Sequence, residues 1–151
     1  MLLVHFLPDL ARTACEQLLA KVHAWLVPGG RVVALGLVPN EEVAALQGGA
    51  DLFVLSSVLE ATPTVALEAL ACGTRVVSTD NPGGLELREI FGDDVAVVPK
   101  GDDGALAQAI LDRLAHPGRA REGTARLVAE RFRVDGVAER YLGLYAEAMA
   151  S

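Results

Sequence analysis

Short apolar runs alternate along the chain with longer segments of helical periodicity. The runs that predict strands occupy residues 2–6, 31–35, 51–55, 75–79 and 95–98. The helical patterns occupy residues 11–26, 41–47, 63–72, 85–91, about 103–115, 119–133 and 137–149. Continuously apolar strands that alternate with helices predict an α/β fold, a Rossmann-like parallel sheet of about five strands with helices on both faces.

Turn and cap residues delimit these elements. Asn40 is a favoured N-cap for the helix over 41–47, Asp102 or Asp103 caps the helix that ends near Ala115, and Gly73 ends the helix over 63–72. No repeat, low-complexity tract or long linker divides the chain, which predicts one domain over 1–151 with 118–151 as its C-terminal helices. Because ligands of parallel sheets bind outside the carboxyl ends of the strands, the loops 36–40, 56–64 and 79–84 are candidate binding segments.

Composition and charge narrow the class of function. Hydrophobic residues make up 52% of the 151 residues and the formal net charge is −7, which indicates a globular domain without the basic face that nucleic acid requires. Cys15 and Cys72 are too few for a disulfide framework, so both are expected to be reduced core thiols. The histidines His5, His23 and His116 are scattered, so no metal site is expected.

The chain contains no sequence typical of a membrane span or a signal segment. No apolar run approaches the ~18 residues that a transmembrane helix needs. The apolar start over 2–7 is too short for a signal segment and has no Lys or Arg before it. Cytoplasmic residence is the resulting expectation.

Glu68 stands out because its helix is apolar around nearly its whole circumference, a pattern that predicts burial on all sides. A buried lone carboxylate is costly unless a donor satisfies it, and a pair of ligand hydroxyls such as a ribose diol would do so. The alternative is a structural contact with a buried backbone group or with an arginine such as Arg75.

The start of the same helix predicts an anion site. Thr62 is expected to act as N-cap with Pro63 at the first helical position, which leaves the amides of Thr64 and Val65 free for a diphosphate. Glu68 follows on the same face one turn later. Glu60 lies in the loop just before the helix, where plain solvent exposure is its alternative interpretation.

These residues resemble a known signature. The segment 50–73, with Glu60 and Glu68 eight positions apart, is similar to the E-x7-E motif of family 4 retaining glycosyltransferases of the GT-B fold. The resemblance continues through 36–42, 76–86 and 97–102 and to Arg131, Phe132 and Tyr145, so that it covers about residues 31–149. An ordered set of segments is far more specific than the two glutamates alone.

The resemblance implies a donor-binding domain that transfers a hexose with retention from a UDP- or GDP-sugar, without a metal or other cofactor. It implies that Glu60 acts on donor-sugar hydroxyls near the reacting centre and that Glu68 holds the ribose diol. Contacts to the donor sugar and phosphate are expected from Thr62, Pro63, Thr64 and Val65, and contacts to the nucleobase from Leu37, Val38 and Pro39. Such enzymes stabilise an oxocarbenium-like charge and the departing diphosphate largely by electrostatics.

The chain departs from the family pattern in three places. Ala61 replaces a glycine that usually follows the first glutamate, and Arg75 replaces a proline, a change expected to be neutral. The N-terminal acceptor domain, the first strand of the donor domain and the cations that neutralise the diphosphate have no counterparts, so we expect a missing or separate N-terminal part. A sheet without that central strand would close the gap, form a homo-oligomer through it or be poorly stable.

Two other functions remain open from the sequence. A non-catalytic module derived from the GT-B fold would act through assembly with a partner chain and bind no nucleotide. An epimerase of nucleotide-sugars would share the fold, but the E-x7-E loop gives it little support.

Overall fold

A computed structural model of the chain describes residues 2–5, 35 and 38–150. The strands of this part are β1 (Leu2–His5), β2 (Leu52–Leu55), β3 (Val76–Thr79) and β4 (Val95–Val98). Its helices are α1 (Asn40–Gly49), α2 (Thr64–Ala71), α3 (Pro82–Phe91), α4 (Asp103–Ala115), α5 (Thr124–Phe132) and α6 (Val134–Ala150). The predicted helix over 11–26 and the predicted strand over 31–34 lie outside the described residues.

The described strands form one parallel sheet in the order β1-β2-β3-β4. Leu2 pairs with Leu52 and His5 with Leu55, so β1 lies directly beside β2 without a gap. The order of the four described strands is therefore continuous, and the expected loss of a central strand stays a prediction. The expected homo-oligomer likewise stays a prediction.

The sheet is covered on both faces because successive side chains of each strand point to opposite sides. Phe53 and Leu55 pack with the buried residues of α2 and α3 and with α5, whereas Leu52 and Val54 face α4. β2 and β4 are accordingly apolar throughout, as buried parallel strands are, and β3 begins with two valines before Ser78 and Thr79. The predicted α/β class with helices on both faces is confirmed.

Several predicted boundaries are wrong. α1 has Pro39 at its N-cap position and Asn40 inside the helix, without a side-chain cap. α3 begins at Pro82, three residues before the predicted start, because Asn81 caps it. The predicted helix over 119–133 shortens to α5, since the amide of Ala120 donates to Gly73 O (2.9 Å) in place of a helical bond.

No described helix is long and apolar enough to span a membrane. Cys72 is a free thiol, half-buried at the C-cap of α2 and not in the core, while Cys15 lies outside the described residues.

Candidate functional site at the carboxyl edge of the sheet

Two of the predicted binding loops, 56–64 after β2 and 79–84 at the end of β3, are joined by hydrogen bonds. The hydroxyl of Thr79 donates to the carbonyl oxygen of Ser57. The amide nitrogen of Asn81 donates to the same Ser57 oxygen (3.1 Å) and to Thr79 Oγ1 (3.0 Å). Thr79 and Asn81 are buried. These bonds hold the two loops against each other at the carboxyl ends of adjacent strands.

The first turn of α3 also contacts the loop that carries Glu60. Asn81 Oδ1 accepts a hydrogen bond from the amide of Gly84 (2.8 Å), and the amide of Gly83 donates to Glu60 O (2.9 Å). A Cβ on Gly83 would lie 2.6 Å from Pro63 Cδ and 2.8 Å from Ala61 O. The loop therefore approaches α3 so closely that only glycine fits at position 83.

Sequence reasoning missed this contribution of Asn81 and Gly83. The signal was present, because asparagine is a preferred N-cap and proline is favoured at the first helical position. The pair Asn81-Pro82 carries that signal directly before the glycines. The approach of the Glu60 loop to Gly83 is a tertiary contact that no local pattern reveals.

The first turn of α2 leaves two amides without a partner in the described part of the chain. Pro63 occupies the N-cap position, and its carbonyl oxygen accepts from the amides of Ala66 (3.0 Å) and Leu67 (3.2 Å). The amides of Thr64 and Val65 donate to no described residue. The prediction of Thr62 as N-cap is wrong, since no side chain caps this helix and proline stands in that place. The two amides that the sequence predicted to be free are nevertheless without a described partner, and anion binding there stays a prediction.

Glu68 is exposed, so the prediction of a helix buried on all sides is wrong. α2 buries Ala66, Leu67, Ala69 and Leu70 and exposes Thr64, Glu68 and Ala71. An exposed alanine suits a helix and exposes little apolar area, so an apolar sequence does not require burial on every side. Glu68 and Thr64, four residues apart, share the solvent-facing side of the helix, which confirms that the carboxylate lies on the face of the free amides.

Neither of the two structural partners considered for Glu68 occurs among the residues that the structure describes. The guanidinium of Arg75 donates to the main-chain oxygens of His116 (2.6 Å) and Arg113 (3.4 Å). No ion pair of Glu68 or Glu60 occurs within residues 38–150. Both carboxylates are therefore accessible to a ligand, with Glu60 half-buried and Glu68 exposed.

The remaining predicted loop, 36–40, borders a shallow apolar depression. Val38 is half-buried and Pro39 exposed, whereas Leu37 lies outside the described residues. The depression encloses about 370 Å³ and is lined by Leu35, Val38, Glu42, Ala45 and Leu46. Its apolar lining would suit one face of a planar ring system better than a charged group.

Among the described residues, few cations lie at the carboxyl edge. Lys100 follows β4, where its amide donates to Asp80 Oδ1 (2.8 Å). Arg75, Arg119 and Arg121 instead bond carbonyl groups at or near the ends of helices on the opposite edge. Within the described ranges, no cluster of three His, Cys, Asp or Glu residues could hold a metal ion. The expectation that no metal is needed stays a prediction.

Comparison with known proteins shows that the chain is similar to enzymes that transfer sugars. Residues 10–116 match the family model described as glycosyl transferases group 1. The chain is 31% identical over 145 residues to a D-inositol 3-phosphate glycosyltransferase of Acidothermus cellulolyticus, covering 95% of this chain and 32% of that protein. It is 32% identical over 126 residues to an alpha-maltose-1-phosphate synthase of Mycolicibacterium smegmatis, covering 76% of this chain and 32% of that protein.

A solved structure shows the same architecture. Sucrose-phosphate synthase from Thermosynechococcus elongatus superposes with a TM-score of 0.76 at 31% identity, over 99% of this chain and 38% of that chain. The chain spans about a fifth to a third of the length of the curated relatives it matches. The family match covers more than half of the chain, and the fold agrees with it. The chain therefore belongs to the glycosyl transferases group 1 family.

Proposed function

We propose that this chain is the nucleotide-sugar-binding part of a retaining glycosyltransferase that transfers a hexose from a UDP- or GDP-sugar. The observation that carries the proposal is the exposed face of α2, where the free amides of Thr64 and Val65 and the carboxylate of Glu68 lie one turn apart. Membership of the glycosyl transferases group 1 family supports it.

The face of α2 combines the two chemistries that a nucleoside diphosphate needs. The free amides and the positive end of the helix dipole attract the diphosphate at Thr64 and Val65. Glu68 accepts hydrogen bonds from both ribose hydroxyls, because an ionised carboxylate only accepts. Its exposure leaves the carboxylate free to receive a ligand without breaking an existing ion pair.

Glu60 acts on the sugar in this proposal. Its loop joins the start of α3 through Glu60 O and the start of α2 through Pro63, so its half-buried side chain lies close to the proposed phosphate site. From there the carboxylate binds donor-sugar hydroxyls and stabilises the positive charge that develops at the reacting carbon. Thr62 and Pro63 border the same space.

The nucleobase is assigned to the loop over Leu37, Val38 and Pro39. The apolar depression beside Val38 supports this assignment, since a base presents an apolar face. Polar groups along this loop determine whether uracil or guanine is bound.

Transfer also requires an acceptor site and cations for the diphosphate. We assign both to an N-terminal part, in the same or a separate polypeptide, because the relatives are about three or more times longer and the described carboxyl edge is poor in cations. No metal or other cofactor is assigned. The predicted cytoplasmic location belongs to the same proposal.

Calorimetry tests the role of Glu68. UDP and GDP are titrated into the wild type and into Glu68→Ala, together with the 2′-deoxy form of whichever nucleotide binds more tightly. Glu68→Ala is expected to weaken the ribonucleotide by about tenfold or more, since hydrogen bonds to charged groups contribute about 1.5–3 kcal/mol. Because both residues favour helix, the substitution should leave the fold intact.

The deoxynucleotide and a matched control make the test specific. The wild type should bind the 2′-deoxy form more weakly than the ribonucleotide. Glu68→Ala should bind the two forms with equal affinity. Glu89→Ala, which removes another exposed helical glutamate, should bind as the wild type does. Equal affinity of the wild type and Glu68→Ala would refute the ribose assignment, and no binding of either nucleotide would refute the proposed donor function.

A further inference from the structure

Asn81 is a fully buried polar side chain that uses both ends of its amide group. Its nitrogen donates to Ser57 O and Thr79 Oγ1, and its oxygen accepts from the amide of Gly84. One side chain thus bonds both the loop after β2 and the first turn of α3. A surface N-cap would need only the last of these bonds.

The bonds of Asn81 lead directly to Glu60. Asn81 fixes Ser57 at the beginning of the loop that carries Glu60, and it caps the helix whose Gly83 amide donates to Glu60 O. The loop is therefore held on both sides of Glu60 by groups that Asn81 orders. Val58 and Leu59, between these points, are strongly exposed and give the loop little apolar anchoring.

Glu68 is held independently of Asn81. The core cluster anchors α2 through Ala66, Leu67 and Leu70. The side chain of Gln47 donates to Val65 O (3.0 Å), which ties the first turn of α2 to α1. A change at Asn81 should therefore disturb Glu60 and spare the face of α2 that carries Glu68.

We propose that Asn81 is a positioning residue for Glu60, with the Thr79 hydroxyl as its partner. It holds the loop 56–63 in the conformation in which the Glu60 carboxylate reaches the donor sugar, and it does not itself touch the ligand because it is fully buried. This inference rests on the proposed donor-binding function. It predicts a selective loss of affinity for the sugar portion of the donor.

The test compares ligands with and without the sugar on variants that retain the helix cap. Asn81→Ser keeps an N-cap side chain for α3 but is too short to reach Ser57 O. Thr79→Val removes only the hydroxyl, and Thr79→Ser keeps it. Binding of UDP, UDP-glucose, GDP and GDP-mannose to each protein is measured by calorimetry.

Asn81→Ser and Thr79→Val should bind the preferred nucleotide-sugar about tenfold more weakly, while their affinity for the nucleoside diphosphate stays within about twofold of the wild type. Thr79→Ser should restore sugar binding toward the wild-type value. Equal weakening of both ligands, or weakening of neither, would overturn the inference and leave the proposed function intact.

Hydrogen exchange provides a measurement that needs no ligand. The Gly83 amide is protected by its bond to Glu60 O, so it should exchange about tenfold faster in Asn81→Ser, with the amides of α5 unchanged. Unchanged exchange at Gly83 would overturn the positioning role. If the wild type bound none of the four probes, the donor function would fail, and this exchange would still decide whether Asn81 holds the Glu60 loop.

Discussion

The two edges of the parallel sheet differ in how the ends of their helices are hydrogen-bonded. At the amino edge, arginine side chains bond the carbonyl groups that the helices and the following turns leave open: Arg119 donates to Cys72 O after α2, and Arg121 to Phe91 O at the end of α3. At the carboxyl edge, the first turn of α2 leaves its amides of Thr64 and Val65 without a described partner.

This difference indicates that hydrogen bonds at the amino edge stabilise the fold, whereas free groups at the carboxyl edge are available to bind a ligand. Carbonyl groups that are satisfied within the chain need no ligand, and arginine suits them because several donors lie on one planar group. Burial, and to a lesser extent the nearby Arg75 and Arg88, lower the pKa of Arg113 at this edge. Free amides at the other edge can be satisfied by water or by an anionic ligand. We therefore expect substitutions at the amino edge to change stability without changing binding, and those at the carboxyl edge to change binding whether or not they also change stability.

The largest expected effect on stability comes from Asp94, which is buried at the amino edge. Its carboxylate accepts from the Thr124 hydroxyl (2.5 Å) and from the main-chain amide of Arg121 (3.2 Å), which fixes the start of α5. Asp94→Ala should lower the free energy of unfolding by about 3 kcal/mol, because buried donors lose their charged acceptor. Chemical denaturation measures the loss.

Asp93→Ala is the matched control for Asp94. Asp93 lies beside it but is exposed, and its ion pair with Arg88 should contribute less than about 1 kcal/mol. Well below the unfolding temperature, Asp94→Ala should bind nucleotide as the wild type does. Weakened binding under those conditions would contradict the separation between the two edges.

Gly83→Ala should disturb the carboxyl edge through packing. The added methyl group would meet Pro63 Cδ and Ala61 O at distances no side chain tolerates, so the loop that carries Glu60 must move. We expect a loss of about 1–3 kcal/mol in the free energy of unfolding, as is typical of overpacking, together with weaker nucleotide-sugar binding. Thermal unfolding and calorimetry measure the two effects.

Gly143→Ala controls for the loss of a helical glycine. A Cβ at Gly143 in α6 meets nothing within 4 Å, so alanine there should stabilise the helix by up to about 1 kcal/mol. Donor binding equal to the wild type in Gly83→Ala would show that the Glu60 loop does not depend on this contact.

Of Asp94→Ala, Gly83→Ala and Arg119→Ala, the last should have the smallest effect on the free energy of unfolding. Its guanidinium donates to Ala50 O (2.8 Å) and Cys72 O (2.7 Å), which connects the segment after α4 to the entrance of β2 and the end of α2. Loss of both bonds should cost about 1–2 kcal/mol, measured by denaturation. Arg126→Ala, which removes an exposed ion pair with Glu130, should cost about 0.5 kcal/mol or less. Equal losses in the free energy of unfolding for Arg119→Ala and Arg126→Ala would show that the arginine bonds at the amino edge contribute no more stability than an exposed ion pair.

The sequence predicted the elements whose determinants are local. β4 lies where its apolar run indicated, and Asp102 caps α4 through the amide of Ala105 (2.8 Å). The sequence also placed Glu68 on the face of the free amides, because it follows Thr64 by four positions and positions four apart in a helix are neighbours.

Predictions from the sequence were wrong or incomplete where contacts between distant residues determine the structure. Periodicity alone could not show that α2 turns Glu68 and Ala71 toward solvent. It also could not show that the segment before α5 leaves the helical conformation to bond Gly73 O through Ala120. The buried bonds of Asn81 likewise depend on the position of Ser57, which is 24 residues distant along the chain.

The central claim is that the first turn of α2 binds the diphosphate of a nucleotide. Titration of the ¹⁵N-labelled chain with UDP or GDP, followed by amide chemical shifts, tests this most directly. We expect saturable shifts of the Thr64 and Val65 amides that weaken in Glu68→Ala, while the amides beside Asp94 stay unchanged. Saturation of nucleotide binding without any shift at Thr64 and Val65 would contradict it.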